Sequence, residues 1–406
     1  MAERRLEETK QCLAAALLVS ALALLFLTGA APAPAAERSA TGAEADCGNR
    51  VMTARGCRSR EAAARDLEQI LRDARADYGL KAAIMRIDTG RRTLVRTAIG
   101  RSQADVAARP RMSFRIGSMA IPWLTSIVLQ LRDEGRLDLD DRISRWLPNP
   151  PRADEVTVRM LATNGSGYHD YIQGNQPFID RLYVNPFRQW RPQELLDVAF
   201  GRGFACEPGA CFNYAHTNYI LLSRIVQRIT GTSTARQMRR RVLGPLGLER
   251  TQLTAEANIR RPALHGFTSE RGVYEDSTTW SPSWTIGSGT IATSTIDDIT
   301  VAARSALSGR LLSPRSRRTF VAPATPGSPY FAFGLIVGGD WRLQNPQLNG
   351  YSGVQGYLPR ERLSVAVMTT NRKAASKDET NFSEETFARL ADYVAPEHPT
   401  PWTGGD

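Results

Sequence analysis

The chain has 406 residues, with 52 Lys or Arg against 41 Asp or Glu, which gives a formal net charge of +11 at pH 7. The basic residues are scattered, as in the segments RQMRRR and SPRSRR, and no segment matches a nucleic-acid-binding module, so we expect no nucleic acid partner. The five cysteines have no spacing typical of a metal site. We therefore expect neither a metal nor another cofactor.

The N-terminal segment has the pattern of an export signal. Basic residues within the first eleven positions precede an uncharged run whose apolar block, LAAALLVSALALLFL, occupies residues 13–27. Such a block is typical of a signal-peptide core rather than a full membrane span, and the tripeptide Ala-Pro-Ala that follows fits a cleavage site. We assign residues 1–35 to a signal peptide. An uncleaved membrane anchor is the alternative, because acidic residues offset the basic ones. Both interpretations place the protein outside the cytoplasm, secreted or in the cell envelope.

The next segment and the cysteines agree with export. Residues 36–59 are rich in Ala, Ser, Gly and charged residues, which predicts a flexible tether. Cys47 and Cys57 form one close sequence pair and Cys206 and Cys211 another, so two local disulfides are expected. Four cysteines allow three connectivities, and four buried thiols are the alternative.

The first ordered elements are predicted from near Arg60. The segment EAAARDLEQILRDARADYG has a helical stripe of apolar residues that ends at Gly79. Two strand-like runs, KAAIMRID and RTLVRTAIG, follow with a Thr-Gly pair between them, which indicates a β-hairpin. Helical spacing returns from Ser118 to Glu134, which places Ser118 at the start of a helix.

The rest of the chain changes character twice. Residues 137–280 alternate helical stretches with long loops, and the clearest helix there is LLSRIVQRITG. Antiparallel strands and turns are then predicted for SGTIATS, YFAFGLIVGGDW, LNGYSGVQGYLP and RLSVAVMTTN, and a last helix for SEETFARLADYVA. The sheet is therefore divided between the two ends of the chain.

These elements predict an α/β fold, an antiparallel β-sheet flanked by helices with an inserted mainly helical lobe. The domain would occupy residues 60–395. Its α/β lobe would consist of residues 60–117 and 285–395, and its helical lobe of residues 118–284. Residues 396–406 would form a tail.

Several motifs, in a fixed order, carry a family resemblance. The octapeptide FRIGSMAI is similar to a nucleophile motif in which a serine at a helix start is followed three residues later by lysine. The segment VTVRMLATNGSGYHDY is similar to T-V-R-x-L-x-x-H-x-S-G-x-x-D-Y, EPGACFNYAHTNY to a Y-x-N tyrosine motif, and NGYSGVQGYLPRE to a histidine- or lysine-threonine-glycine strand motif. From about residue 65 to 392, the chain thus resembles the penicillin-recognising serine hydrolases, the D-alanyl-D-alanine carboxypeptidase and class C β-lactamase type. The resemblance implies the β-lactamase and transpeptidase fold.

The resemblance also implies the site residues, and several reactive positions depart from it. Ser118 matches the nucleophile, but Ile121 stands where the family has lysine. Tyr214 matches the tyrosine of Y-x-N, and His216 stands where asparagine is usual. On the strand, Tyr351, Ser352 and Gly353 replace the histidine- or lysine-threonine-glycine triplet and are the expected substrate-binding residues.

The loss of lysine decides how much chemistry survives. General-base assistance is typically worth ~10² to 10⁴ in rate, so acyl transfer needs a substitute base. His216 is the candidate, since an imidazole titrates near neutral pH. Three of these residues also have a plain alternative: His216 can fill an asparagine-sized pocket, Ser118 can cap a helix and Tyr214 can be a core tyrosine. For Tyr351 a role in the pocket wall is favoured over catalysis.

The sequence supports two functions; a third, a different reaction in the same pocket such as a cyclisation or isomerisation, has no positive sign in it. The first is an exported serine hydrolase or acyltransferase that acts on a peptide, ester or amide through an acyl-Ser118 intermediate, with Tyr214 and His216 handling protons. The second is a non-catalytic protein that binds cell-wall peptides or a protein partner in the old cleft. Both take a small molecule or peptide as ligand, and membrane contact is expected only through an uncleaved N-terminal segment.

Overall fold

A computed structural model describes residues 47–287, 289–323, 331–377 and 380–402. The predicted signal peptide, residues 36–46 of the predicted tether and the last four residues lie outside the described part. Within the described residues, no helix combines the length and the apolar character that a membrane crossing requires.

The main feature is a seven-stranded antiparallel sheet with the order β2-β1-β12-β11-β9-β8, in which β10 also pairs with β11. Two small sheets, β3-β7-β4 and β5-β6, lie apart from it. The strands are β1 (Leu80–Thr89), β2 (Arg92–Gly100), β3 (Phe114–Arg115), β4 (Gln252–Leu253), β5 (Phe267–Thr268), β6 (Glu275–Asp276), β7 (Ala292–Ser294), β8 (Ile336–Gly338), β9 (Trp341–Gln344), β10 (Gln347–Leu348), β11 (Tyr351–Leu358) and β12 (Leu363–Asn371). Both ends of the chain build the main sheet, as predicted.

Helices lie between the strands along the chain, and one further helix lies before β1 and another after β12. They are α1 (Arg60–Asp77), α2 (Ile121–Asp133), α3 (Val158–Ala162), α4 (Gln176–Val184), α5 (Pro192–Phe200), α6 (His216–Thr230), α7 (Thr234–Met238), α8 (Gly244–Leu246), α9 (Ile296–Ala302), α10 (Pro314–Val321) and α11 (Phe382–Val394). Helices α2 to α8 form the predicted helical lobe, which also contains the short strands β4, β5 and β6. The predicted fold class is confirmed.

Alternation along the central strands creates two cores. On β1, Ala82 and Ile84 belong to a core shared with the helical lobe, whereas Ala83 and Met85 belong to a core shared with α1 and α11. Successive side chains of a strand point to opposite faces, so a strand with consecutive buried apolar residues must be covered on both. The helices from the two chain ends cover one face, and the helical lobe covers the other.

The predicted tether is shorter than expected, because its last part is folded. Val51 pairs with Arg58, and the Ala54 amide donates to the Tyr393 carbonyl of α11 at 2.8 Å. A disulfide between Cys47 and Cys57 closes this loop. The second predicted disulfide, Cys206–Cys211, is also present.

The last strands are shorter than the sequence predicts. From the segment YFAFGLIVGGDW only Ile336–Gly338 forms a strand before the chain reverses at Gly339, which has φ +57°. From SGTIATS only Ala292–Ser294 is a strand, and it joins β3 and β4 rather than the main sheet. Gly334 and Gly339, both with positive φ, bound the first of these strands, because such backbone does not continue a ladder. The second ends where Thr295 caps helix α9.

Gly356 provides a test of core packing. A Cβ on Gly356 would overlap with Cζ of Phe387, a fully buried side chain of α11. Gly356→Ala should lower the free energy of unfolding by about 1–3 kcal/mol, because the ring must move in a packed core. Urea denaturation measures this change. Phe387→Leu should lower the free energy of unfolding by less in the Gly356→Ala background than in the parent. Simple additivity of the two losses would contradict the packing explanation.

Candidate active site

Ser118 lies in a 3₁₀ turn, Gly117–Ala120, that leads directly into α2. Gly117 has φ +45°, and a Cβ there would lie 2.8 Å from Cβ of Pro346, so the turn is pressed against the segment between β9 and β10. The Ser118 hydroxyl is 3.2 Å from the Tyr214 hydroxyl. Among the described contacts it makes no capping bond to a backbone amide, so its hydroxyl is directed to the tyrosine and not to the helix.

Asn164 holds the loop that carries Tyr214. Its backbone carbonyl accepts from the Asn213 amide at 2.8 Å, and its side-chain oxygen accepts from the Ala215 amide at 3.3 Å. The same side chain donates to the Tyr219 hydroxyl at 2.8 Å. The residue is buried and has φ +58°, a conformation that asparagine tolerates better than most residues. Asn164 thus fixes both sides of Tyr214.

Tyr214 is a protonated phenol at neutral pH. Burial raises the pKa of its hydroxyl well above the ordinary value, and the hydrogen bond with Ser118 offsets only part of that rise. A phenol in this state donates a hydrogen bond readily but does not exist as a phenolate base. It can still relay a proton if it gains one as it loses another.

His216 begins α6 and is paired with a buried carboxylate. Its Nδ1 is 2.7 Å from Oδ2 of Asp170, which also accepts the His216 backbone amide at 2.5 Å. The other carboxylate oxygen accepts the amides of Ile172 and Gln173 at 2.7 and 2.9 Å. Asp170 is 4% exposed. Four hydrogen bonds therefore hold one carboxylate and, through it, the imidazole.

The charge state of Asp170 decides the tautomer of His216. Burial by itself raises the pKa of this carboxyl, but the charge and hydrogen bonds of His216 and the Gln173 amide outweigh it, so the pKa is lowered from its usual 3.8. An ionised carboxylate only accepts hydrogen bonds, so Nδ1 carries the proton. The lone pair of His216 is then on Nε2.

Ser118, Tyr214 and His216 meet in one cavity of about 590 Å³. The rings of Tyr214 and His216 pack edge to face with centroids 5.2 Å apart. The described hydrogen bonds include none between Ser118 and His216. Ile121 is 1% exposed, belongs to the core under α2 and is absent from the cavity lining. The three residues named from the sequence as catalytic are thus brought together, with tyrosine next to both of the others.

The predicted substrate-binding triplet lies elsewhere. Tyr351 is 1% exposed, and its hydroxyl donates to the Leu264 carbonyl at 2.7 Å; burial raises the pKa of this hydroxyl to about 12. Tyr351 and Ser352 line a neighbouring cavity, and Gly353 packs against Met119. The structure does not bring these three residues to the wall of the Ser118 cavity. Tyr351 is a core residue because its ring fills the space over Gly266.

The strand segment that does line the cavity is the preceding one, Gln344 to Leu348. The Gly353 amide donates to the Pro346 carbonyl at 3.1 Å, so this segment lies between β11 and Ser118. Sequence reasoning missed it because it contains no basic residue or histidine. The signal that could have located it is the Asn349-Gly350 turn, which makes Gln344 to Leu348 the first arm of a hairpin with β11.

Asp170 was missed as well, although it stands in the matched motif GYHDY. Asp170→Asn should lower the free energy of unfolding at pH 7 by about 1–3 kcal/mol, because an amide NH₂ replaces an acceptor that two donors share. Since the folded pKa of Asp170 is lowered, its contribution is complete above the usual value of 3.8 and is lost as the pH falls through the folded value. Urea denaturation at pH 7 and at pH 3 should therefore show a smaller difference between variant and parent at the lower pH.

The control for this prediction is Asp180→Asn, an exposed carboxylate on α4 that accepts only from Gln176 within the described part of the chain. Its stability should match that of the parent at both pH values. An Asp170→Asn protein with parental stability at pH 7 would show that the carboxylate does not hold the imidazole loop.

The fold recurs in solved structures. The D-stereospecific amidohydrolase from Streptomyces sp. superposes with a TM-score of 0.67 at 23% identity, over 78% of this chain and 97% of that one. The D-amino acid amidase from Ochrobactrum anthropi SV3, in its complex with D-phenylalanine, superposes with a TM-score of 0.68 at 22% identity, over 80% and 98% of the two chains. At these identities the likeness concerns the fold alone.

Sequence comparisons identify relatives and a family. The chain is 28% identical to a D-aminopeptidase of Gluconobacter oxydans over 66% of its own length and 51% of that protein. It is 30% identical to penicillin-binding protein 4 of Amycolatopsis lactamdurans over 38% of its length and 40% of that protein. The chain thus spans about half or less of the curated relatives it matches. The family model Beta-lactamase matches residues 67–387, most of the chain. The chain belongs to the Beta-lactamase family.

Proposed function

We propose that the protein is a serine hydrolase or acyltransferase that acts on a small amide, ester or peptide through an acyl-Ser118 intermediate. One observation carries the proposal: the Ser118 hydroxyl is 3.2 Å from the Tyr214 hydroxyl in a cavity that His216 also lines. A nucleophile, a proton relay and a carboxylate-backed imidazole are the groups that acyl transfer needs.

In the acylation step, Tyr214 moves the proton. The Ser118 oxygen attacks the substrate carbonyl carbon and the carbonyl oxygen takes the electron pair. The Ser118 proton passes to the Tyr214 oxygen while the Tyr214 proton passes to the leaving nitrogen or oxygen, whose bond to carbon then breaks. No net base is consumed, so a phenol with a raised pKa is sufficient. The position of Ser118 at the start of α2 lets the helix dipole favour the negative oxygen.

In the deacylation step, His216 is the base. A water molecule in the cavity attacks the acyl carbon and gives one proton to Nε2 of His216. Asp170 stabilises the imidazolium that forms, because its carboxylate accepts the Nδ1 hydrogen. The bond between the acyl carbon and the Ser118 oxygen then breaks, and the Ser118 oxygen takes a proton from the Tyr214 hydroxyl. His216 passes its extra proton to the Tyr214 oxygen, so that both residues return to their starting states. The acid and the free serine are the products.

In this mechanism, Tyr214 and His216 together perform the proton transfers that the family assigns to a lysine, whose position is occupied here by Ile121. A lysine at the family position would sit at the first residue of α2, where Ile121 is instead packed in the core. His216 lines the cavity and begins a different helix, α6. We infer that the base has moved from α2 to α6 while the nucleophile has stayed.

The second candidate function is non-catalytic binding of a small molecule or cell-wall peptide in the same cavity. The buried Ile121 favours it, because an apolar residue at the lysine position leaves Ser118 without a direct base.

We also propose export by the N-terminal segment, to the cell envelope or outside the cell. The two disulfides support export, since such bonds persist in oxidising compartments.

Covalent labelling tests the nucleophile. Incubation with a fluorophosphonate should add one phosphonyl group, detected by intact-mass spectrometry and mapped to Ser118 by peptide sequencing. Ser118→Ala should abolish the adduct, and Tyr214→Phe should slow its formation by about 10² or more because the relay is lost. Parent protein unfolded in urea is the control and should stay unlabelled. No adduct on the folded parent over hours would support the binding function instead.

Trapping of the acyl-enzyme tests His216. With p-nitrophenyl acetate, His216→Ala should release a burst of p-nitrophenol and then stall as acetyl-Ser118, with deacylation slowed by about 10²- to 10⁴-fold. The matched control is His265→Ala, which removes another histidine paired with a carboxylate, His265 Nδ1 to Asp276 at 2.6 Å, outside the cavity lining. It should turn over like the parent. Equal turnover by His216→Ala and the parent would contradict the assigned role.

A further inference from the structure

The charge of the Ser118 cavity is unusual for a protein with a net charge of +11. Of the described residues that line it, none is Lys or Arg, and two are glutamates, Glu270 and Glu384. The segment that faces Ser118 contributes uncharged amide side chains, such as Gln344 and Asn345. A substrate carboxylate in this cavity would meet carboxylates and amides rather than a cation, which disfavours it.

Glu384 is presented to the cavity by two amide side chains. Asn345 and Asn381 both donate to its Oε1, the second at 2.9 Å. Within the described residues, no group donates to Oε2. The carboxylate is half-buried, and burial raises its pKa despite the two amide bonds. A cation at Oε2 would restore the interactions that this carboxylate loses on leaving water.

Contacts place Glu384 on the nucleophile side of the cavity. Its partner Asn345 precedes Pro346, and Pro346 packs so closely on Gly117 that a Cβ there would lie 2.8 Å from the proline Cβ. Gly117 is the residue before Ser118. Contacts through Asn345, Pro346 and Gly117 therefore connect the carboxylate to Ser118, and both residues line the same cavity.

Glu270 is the weaker candidate for a charged contact. Its Oε2 accepts from both Thr268 at 2.9 Å and Asn349 at 3.0 Å, and the residue is exposed at the cavity rim. An exposed carboxylate gains little from an ion pair, because water already stabilises its charge. The half-buried Glu384 gains more.

We infer that the cavity selects substrates that carry a cationic amine close to the scissile carbonyl, and that Oε2 of Glu384 binds the ammonium group. Amino-acid amides, amino-acid esters and peptides with a free amino terminus have this chemistry. Because it takes the same cavity as the substrate site, this inference rests on the proposed function. The inference can be tested separately from the proposed function, since ammonium binding needs no acyl chemistry.

Binding to the full chain carrying Ser118→Ala tests the inference without turnover. The two probes are D-phenylalanine amide and N-acetyl-D-phenylalanine amide, which differ in the ammonium charge and the acetyl group. Isothermal titration calorimetry should show the free amine binding at least about tenfold more tightly, which is about 1.4 kcal/mol. Glu384→Gln in the same background should reduce this preference to about twofold or less, because the neutral amide keeps the shape but loses the charge.

Matched variants make the result specific. Glu385→Gln changes the next residue of α11, which is exposed and outside the cavity lining, and should keep the full preference. Glu270→Gln should also keep most of it. The inference is overturned if the parent background shows no preference, if neither probe binds at millimolar concentration, if Glu384→Gln leaves the preference unchanged, or if Glu270→Gln removes it. Ammonium preference without any fluorophosphonate adduct on the parent would reject the proposed function and keep this inference.

Discussion

The burial of the central strands on both faces is the constraint on which the rest of the structure depends. β1 is buried at seven of its ten positions and β12 at all nine, so both faces of these strands are covered. Helices α1 and α11, from opposite ends of the chain, cover one face, and the helical lobe with α2 at its centre covers the other. Because α2 is almost wholly buried, its first turn is held rigidly against the sheet. Ser118 is in the turn that leads into this helix, so the packing of α2 in the core fixes its position.

The other half of the site is held by polar groups rather than by apolar packing. Asn164 fixes the Tyr214 loop, and Asp170 fixes His216 through a side-chain and a backbone hydrogen bond. Buried polar groups of this kind are costly unless they are fully bonded, and both residues are satisfied. The tyrosine therefore meets the serine from a wall whose buried polar groups are hydrogen-bonded, although that wall belongs to the inserted lobe.

The predictions from sequence succeeded where a pattern acts locally and failed where a partner was needed. The β-hairpin, α1, α2, α11 and both disulfides follow from periodicity and spacing, and the structure confirms them. The end of the tether was misjudged, because residues 47–59 are ordered by contacts with α11, more than 300 residues away in sequence. The sequence predicts Tyr351 as a substrate-binding residue because its triplet resembles a strand motif. In the structure, the preceding segment, Gln344 to Leu348, lines the cavity instead. The two arms of a hairpin lie side by side, so a motif on one arm does not show which arm lines the cavity.

The sequence by itself determined the family, the split sheet with its inserted helical lobe, and which residues stand at the motif positions: Ser118, Ile121, Tyr214 and His216. These depend on order and spacing along the chain, which motifs preserve. Only the tertiary structure decided that Asp170 is the partner of His216 and that Tyr214 is next to both serine and histidine. It also decided that the described residues lining the cavity include two glutamates and no lysine or arginine. These are meetings of residues from different helices and loops. They depend on how the two cores bring the lobes together, which no local pattern encodes.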